Sequence, residues 1–178
     1  MIVWLNGPFG AGKTTLSAKL RERLPDSLLF DPEEIGYVVR TVVPPAPSGD
    51  FQDLPIWRRL TVAALLELRR LYPQTVIVPM TLVQPAYIEE IFGSLTNLGE
   101  RLLHIFLDID ARLLRSRIEA QVLVPDPVRD QDIRQWRLDQ VDRCLASRRH
   151  MPAGTRFVDS GTDSPEILSD RILTWLNG

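Results

Sequence analysis

Gly7-Pro8-Phe9-Gly10-Ala11-Gly12-Lys13-Thr14 is a complete G-x-x-x-x-G-K-[ST] run. In that pattern backbone N–H groups cradle phosphates, the lysine reaches the outer phosphates and the hydroxyl serves a magnesium ion. The spacing follows from the chemistry. Glycines let the chain turn tightly and aim successive N–H groups at one point, and the start of a helix adds its positive end. The first helical turn carries Lys13 and no Asp or Glu. Helix starts favour negative side chains by about 0.3–1 kcal/mol, so this arrangement is locally inconsistent unless an anion completes it. The plainer alternative is a glycine-rich turn with a stray lysine, and the flanks argue against it. Ile2-Val3-Trp4-Leu5 reads as a buried strand, and Leu16, Lys19, Leu20, Arg23 and Leu24 keep helical spacing.

Other residues whose types suit chemistry stand where strand patterns end. Asp31 follows the second strand pattern, in Phe30-Asp31-Pro32-Glu33-Glu34. It reads either as the N-cap of the next helix or as a carboxylate facing the phosphate loop, where it would contact magnesium-bound water. The third strand ends in Pro79-Met80-Thr81, with no acid where many phosphate-loop enzymes carry one, so Thr81 is the polar group there. Arg112, Arg115 and Arg117 follow the fourth strand, and Arg129 and Arg134 come after them. Phosphoryl transfer needs cations over the migrating group, and Arg117 is the candidate; the alternative is a solvated face paired with Asp108, Asp110 and Glu119. Asp110 reads as an N-cap. Phe51, Gln52, Trp57, Arg58, Met80 and Tyr87 gather on the acceptor side, either as core or as the wall of a site for a molecule with a sizeable apolar part. His104 and His150 lack metal-like spacing.

Strand patterns at Ile2–Leu5, Ser27–Phe30, Thr75–Met80, Leu102–Leu107 and Thr155–Val158 alternate with helical patterns at about 13–24, 33–42, 54–71, 85–98, 110–123, 131–149 and 164–177. That alternation predicts an α/β fold with a parallel sheet, which gathers ligands at the carboxyl ends of its strands. Asp53 and Pro55 mark a helix start, with an expected apolar stripe of Ile56, Leu60, Ala63, Ala64, Leu68 and Leu71. Two proline-bearing stretches, Val43–Gln52 and Val124–Asp130, read as a flap over a ligand or as surface connections.

The 178 residues suffice for one domain, expected over 1–178. A formal net charge of −2 offers no basic excess for nucleic acid, and no apolar run is long enough to span a bilayer. With no basic leader ahead of the first strand, a cytoplasmic location without membrane anchoring is expected. Only Lys13 and Lys19 among the 21 cationic residues are lysines. Cys144 is the single cysteine, which excludes an internal disulfide and reads as a small buried helix residue.

The combination Trp4-Leu5-Asn6-Gly7-x-Phe9-Gly10-x-Gly12-Lys13-Thr14, then Asp31-Pro32-Glu33 with Gly36, Phe51-Gln52, Leu54-Pro55-x-Trp57-Arg58 and Val78-Pro79-Met80-Thr81, resembles the tunicamycin resistance proteins. The match runs from residue 2 to about residue 90, with a weaker echo in Gln140-Val141-Asp142-Arg143-Cys144. More distantly the chain resembles chloramphenicol phosphotransferase, shikimate kinase and the nucleoside monophosphate kinase-like group. The resemblance implies a three-layer P-loop fold with a five-stranded parallel sheet in order 2-3-1-4-5 and a lid after the fourth strand, at about 118–134; the flap, if the first proline-bearing stretch forms one, falls at about 43–52. It also implies ATP as phosphoryl donor, and an acid after the second strand, here Asp31, serving the acceptor hydroxyl.

The expected reaction is transfer to a hydroxyl of tunicamycin or a related nucleoside antibiotic. Sequestration of the drug without modification and a housekeeping nucleotide or metabolite kinase are the alternatives. Backbone groups from Phe9 through Gly10, Ala11, Gly12 and Lys13 to Thr15 would hold the phosphates. Thr14 would hold Mg²⁺, with Asp31 acting through water, and Ser160, Gly161 and Thr162 would contact adenine. Related kinases often carry Arg-x-x-x-Arg at the lid base, whereas Arg117 is followed by Gln121. A second lid arginine would then be Arg129 or Arg134, or be absent. Monomer and homodimer both stay open.

Overall fold

The computed structural model describes Met1–Asn177; Gly178, the last residue of the expected domain, lies outside the described residues. Strands β1 (Ile2–Asn6), β2 (Leu28–Leu29), β3 (Val76–Pro79), β4 (Leu102–Asp108) and β5 (Arg156–Asp159) form one parallel sheet in the order β2-β3-β1-β4-β5. The helices are α1 (Lys13–Arg23), α2 (Pro32–Val42), α3 (Pro55–Leu71), α4 (Pro85–Asn97), α5 (Ala111–Glu119), α6 (Pro127–Asp139), α7 (Val141–Ala146) and α8 (Pro165–Asn177). This is the expected P-loop α/β fold.

Strand β1 lies in the middle, paired with β3 on one side and β4 on the other, and is buried throughout. Its alternating side chains feed two cores, as a strand covered on both faces must. Val3 and Leu5 pack with Leu16 and Leu20 of α1, Leu114 and Ile118 of α5, and Leu168 and Ile172 of α8. Ile2 and Trp4 pack with Trp57 and Leu65 of α3 and with Ile88, Ile91 and Leu95 of α4. Helix–sheet–helix layering follows.

Local chemistry sets the helix starts. Pro opens α2, α3, α4 and α6, where its missing N–H costs nothing. Asp31, Asp110 and Asp126 cap α2, α5 and α6 through their carboxylates.

Several expected boundaries shift. The 110–123 pattern ends as helix at Glu119, because the N–H groups of Leu123 and Val124 are taken by the Asp130 carboxylate. The helix expected over 131–149 is α6, α7 and a 3₁₀ turn at Ser147–His150. The Asp126-Pro127 start moves its beginning into the stretch expected as loop. The chain then breaks at Gln140, where a largely exposed helix, whose one fully buried residue is Asp130, gives way to one that buries Val141 and Cys144. The apolar stripe expected on α3 is also displaced. Ile56, Leu60 and Leu71 are exposed, and the helix instead buries Trp57, Arg58, Thr61 and Leu65. Arg58 is tolerated inside because Glu90 and the carbonyl of Gln52 take its guanidinium. Between α2 and α3, residues 43–50 are irregular, and a 3₁₀ turn follows at Phe51–Asp53.

Candidate functional site

Two neighbouring cavities lie at the carboxyl ends of β1 and β3. The first, about 670 Å³, runs along residues 9–16 and is closed by Asp31, Arg117, Gln121, Arg137 and the 160–165 segment. Gly12, at φ 99°, stands at the N-cap of α1 without a side-chain cap, and no acid lies in the first turn. The positive end of the helix therefore faces the cavity uncompensated, a setting for an anion. Lys13 Nζ donates to the carbonyls of Gly7 at 2.9 Å and Pro8 at 2.8 Å. Burial pulls the Lys13 ammonium down to about 8, against the charges of Glu33 and Asp31, which raise it. Thr14 and Thr15 stand exposed on the same wall.

Asp31 caps α2 by accepting from the Glu33 N–H at 2.9 Å and also lines the cavity, so the two positions considered for it coincide. Burial raises its carboxyl above the usual range, and Glu34 adds to that. Glu33 is raised as well, by burial and by the neighbouring Asp31. Arg117 spans the cavity wall and donates to the Ser160 carbonyl at 3.0 Å. It does not pair with Asp108, which instead holds Arg148. Ser160, Gly161 and Thr162 line the far end.

The second cavity, about 510 Å³, lies between α2, the 48–52 segment and α6. Phe51, Gln52 and Met80 of the expected acceptor group line it, together with Tyr37, Arg40, Arg129 and Trp136. Gly36 makes this wall possible: a Cβ there would meet the Phe51 ring at 2.7 Å. Phe9 and Trp136 meet edge to face with centroids 5.1 Å apart. Phe9, Glu33 and Arg137 line both cavities and mark the place where they join.

The remaining expected acceptor residues line neither cavity. Trp57 is buried, with its indole N–H on the Pro32 carbonyl. Arg58 is held by Glu90 and Tyr87 by Asp53, while the Thr81 hydroxyl donates to the Gly7 carbonyl at 2.8 Å. Gly7 likewise contributes a carbonyl to Lys13 without lining the cleft. Of the arginines considered for the lid, Arg134 is turned to Asp130 and the Gln121 carbonyl, and Arg129 reaches only the second cavity. The cation facing both is Arg137, which donates to Gln121 Oε1 at 2.8 Å and lies over the Phe9 ring. Arg137 and Glu33 had no separate signal in the sequence. One stands 20 positions beyond Arg117 on another helix, and the other reads as helix-start acid.

The family model described as "AAA domain" matches residues 2–150. The comparison with curated protein sequences gives no match. Among solved structures, the tunicamycin resistance protein of Deinococcus radiodurans is 25% identical, with 99% of this chain and 95% of that chain covered and a TM-score of 0.77. A sugar kinase from Janibacter sp. HTCC2649 is 19% identical over 99% of this chain and 94% of that one, with a TM-score of 0.67. The shikimate kinase of Aquifex aeolicus vf5 is 16% identical over 100% and 97% of the two chains, with a TM-score of 0.55. These two likenesses are of fold alone, and they agree with the phosphate loop and the sheet order in describing a P-loop α/β protein. The chain belongs to the AAA domain family.

Proposed function

We propose that the protein is an ATP-dependent phosphotransferase whose acceptor is a hydroxyl of tunicamycin or a similar nucleoside antibiotic. The observation that carries this reading is the junction of the two cavities, where Lys13, Asp31, Glu33 and Arg137 border one cleft and Glu33 and Arg137 also border the aromatic groove beside it. Backbone N–H groups of residues 9–15, with Lys13, hold phosphates. Arg117 and Arg137 add the positive charge that a migrating phosphoryl group requires. Asp31, and Glu33 beside it, orient the acceptor hydroxyl and take its proton. Residues 160–162 contact the base, and the groove between residues 43–52 and α6 takes the acceptor, with the segment at about 118–134 as lid.

Thr14 and Asp31 present oxygen donors to the same cleft, and among the described residues no cluster of three His, Cys, Asp or Glu side chains could hold a metal alone. Such a sparse donor set fits Mg²⁺, which keeps waters and phosphate oxygens as most of its ligands. Bound there, ATP supplies the phosphoryl group and Mg²⁺ neutralises its charge.

Incubation with ATP, Mg²⁺ and tunicamycin, followed by mass spectrometry of the drug, tests the reading. Phosphorylated drug that disappears in Asp31→Asn is expected. Unmodified drug held stoichiometrically would replace catalysis with sequestration, and neither result would point to another acceptor.

A further inference from the structure

Asn6 ends β1 within the Trp4-Leu5-Asn6-Gly7 run and has no part in the reading above. It is 0% exposed, and each polar atom of its side chain is engaged. Oδ1 accepts from the N–H of Gly7 at 2.7 Å and of Leu82 at 2.8 Å. Two backbone donors converging on one atom identify it as the oxygen, which fixes the amide orientation. Nδ2 then faces acceptors: the Leu82 carbonyl at 2.7 Å, His104 Nε2 at 3.1 Å and Met151 Sδ at 3.7 Å. His104 Nε2 must therefore carry a lone pair, and its proton sits on Nδ1, 2.9 Å from Thr155 Oγ1. Burial pushes His104 down to about 3, which keeps the ring neutral at any physiological pH and leaves the choice of tautomer to the Asn6 contact.

The regular β1–β3 ladder ends where the Met80 N–H donates to the Leu5 carbonyl. Beyond it Thr81, Leu82 and Val83 are buried but irregular, so their backbone groups need other partners. The Asn6 amide acts as a substitute peptide group, giving one hydrogen bond to Leu82 and accepting one from it. The same oxygen holds the Gly7 N–H, while Thr81 Oγ1 holds the Gly7 carbonyl from the other side. Gly7 sits at φ 135°, and a Cβ there would lie 2.8 Å from the Leu107 carbonyl oxygen. The first residue of the phosphate loop is gripped from three sides.

We infer that Asn6 and Thr81 are positioning residues that lock the phosphate loop to the exit of β3, holding the loop in register with Met80 in the acceptor groove. The inference rests on the loop being the nucleotide site. Its physical basis is that displacements of about 1 Å at a reacting centre cost about 10²-fold in rate, so the join between the two cavities must be stiff.

Thr81→Val removes one hydroxyl at nearly constant volume. Asn6→Asp keeps an acceptor for the two N–H groups but turns a second oxygen toward the Leu82 carbonyl and His104. In protein shown to be folded by NMR, ADP binding measured by calorimetry should weaken about fivefold to tenfold in Thr81→Val, the loss of one hydrogen bond, and further in Asn6→Asp. Nitrogen NMR should find His104 protonated on Nδ1 in the wild type and on Nε2 in Asn6→Asp. Unchanged ADP affinity in folded Thr81→Val, with only a lowered melting temperature, would reduce the network to structure and overturn the inference. So would a wild-type His104 protonated on Nε2. Lys13→Ala separates the two levels. Normal ADP affinity in that variant removes the nucleotide site and this inference with it, whereas loss there with normal affinity in Thr81→Val removes the inference alone.

Discussion

Lys13 has no carboxylate partner among the described residues; two carbonyl oxygens hold its ammonium, and burial brings it down to about 8. The charged form is the one that attracts phosphate, so nucleotide affinity should fall as pH rises from 7 to 9. Near pH 8 binding should take up protons, measurable by calorimetry in buffers of different ionisation enthalpy. Stability moves the other way. The unfolded chain keeps this proton up to its ordinary value of 10.5, so between about 8 and 10.5 the unfolded state binds more protons and the contribution of Lys13 to stability rises with pH. Asp31 makes a different division visible. Asn caps helices nearly as well as Asp, so Asp31→Asn should leave the melting temperature almost unchanged while turnover falls by about 10²–10⁴-fold. Glu33→Gln is the comparison, since Glu33 lines the second cavity as well as the first.

At the scale of elements, α2 and the segment after it meet at Gly36, where a methyl group would meet the Phe51 ring at 2.7 Å. Ala favours a helix interior over Gly by about 1 kcal/mol, but overpacking costs about 1–3 kcal/mol, so Gly36→Ala should displace the 48–53 segment rather than break α2. The acceptor KM should rise with the ATP KM unchanged; equal rises in both would place the coupling elsewhere. Elements with a strong local signal were legible in the sequence: the phosphate loop between β1 and α1, all five strands, the Asp31 and Asp110 caps. Residues 118–139 were not, because their order comes from one carboxylate gathering the backbone N–H groups of an irregular turn and from a side-chain contact between two helices. Asp130 gathers Leu123, Val124 and Arg134, and Gln121 holds Arg137 across two elements. On α3 the periodicity was right in kind but off in phase, because Arg58 and Thr61 are buried where apolar spacing favoured Leu60. The lining of the second cavity follows the same pattern. Phe51, Gln52 and Met80 sit in it, while Tyr37 and Trp136 arrive from helices whose orientation the pattern did not fix.

Across the whole molecule, the first cavity draws its walls from α1, α5, α6, the segment after β5 and the start of α2, elements from both faces of the sheet. A ligand bridging them stabilises the folded chain by mass action, about 2.7 kcal/mol at a hundred times its Kd. ATP with Mg²⁺ should raise the wild-type melting temperature by several degrees and leave Lys13→Ala nearly unmoved; equal shifts would detach the effect from the loop. The scarcity of lysine adds a practical consequence. Lys19 is engaged by Glu22 and Glu166, which raise it, leaving Lys13 and the Met1 amine, both lowered by burial, as the amines most nucleophilic near neutral pH. An acylating reagent should therefore modify so few positions that peptide mass mapping becomes an occupancy gauge. Acylation at Lys13 shielded in proportion to bound nucleotide, beside an unshielded Met1, would report filling of the cleft without any labelled ligand.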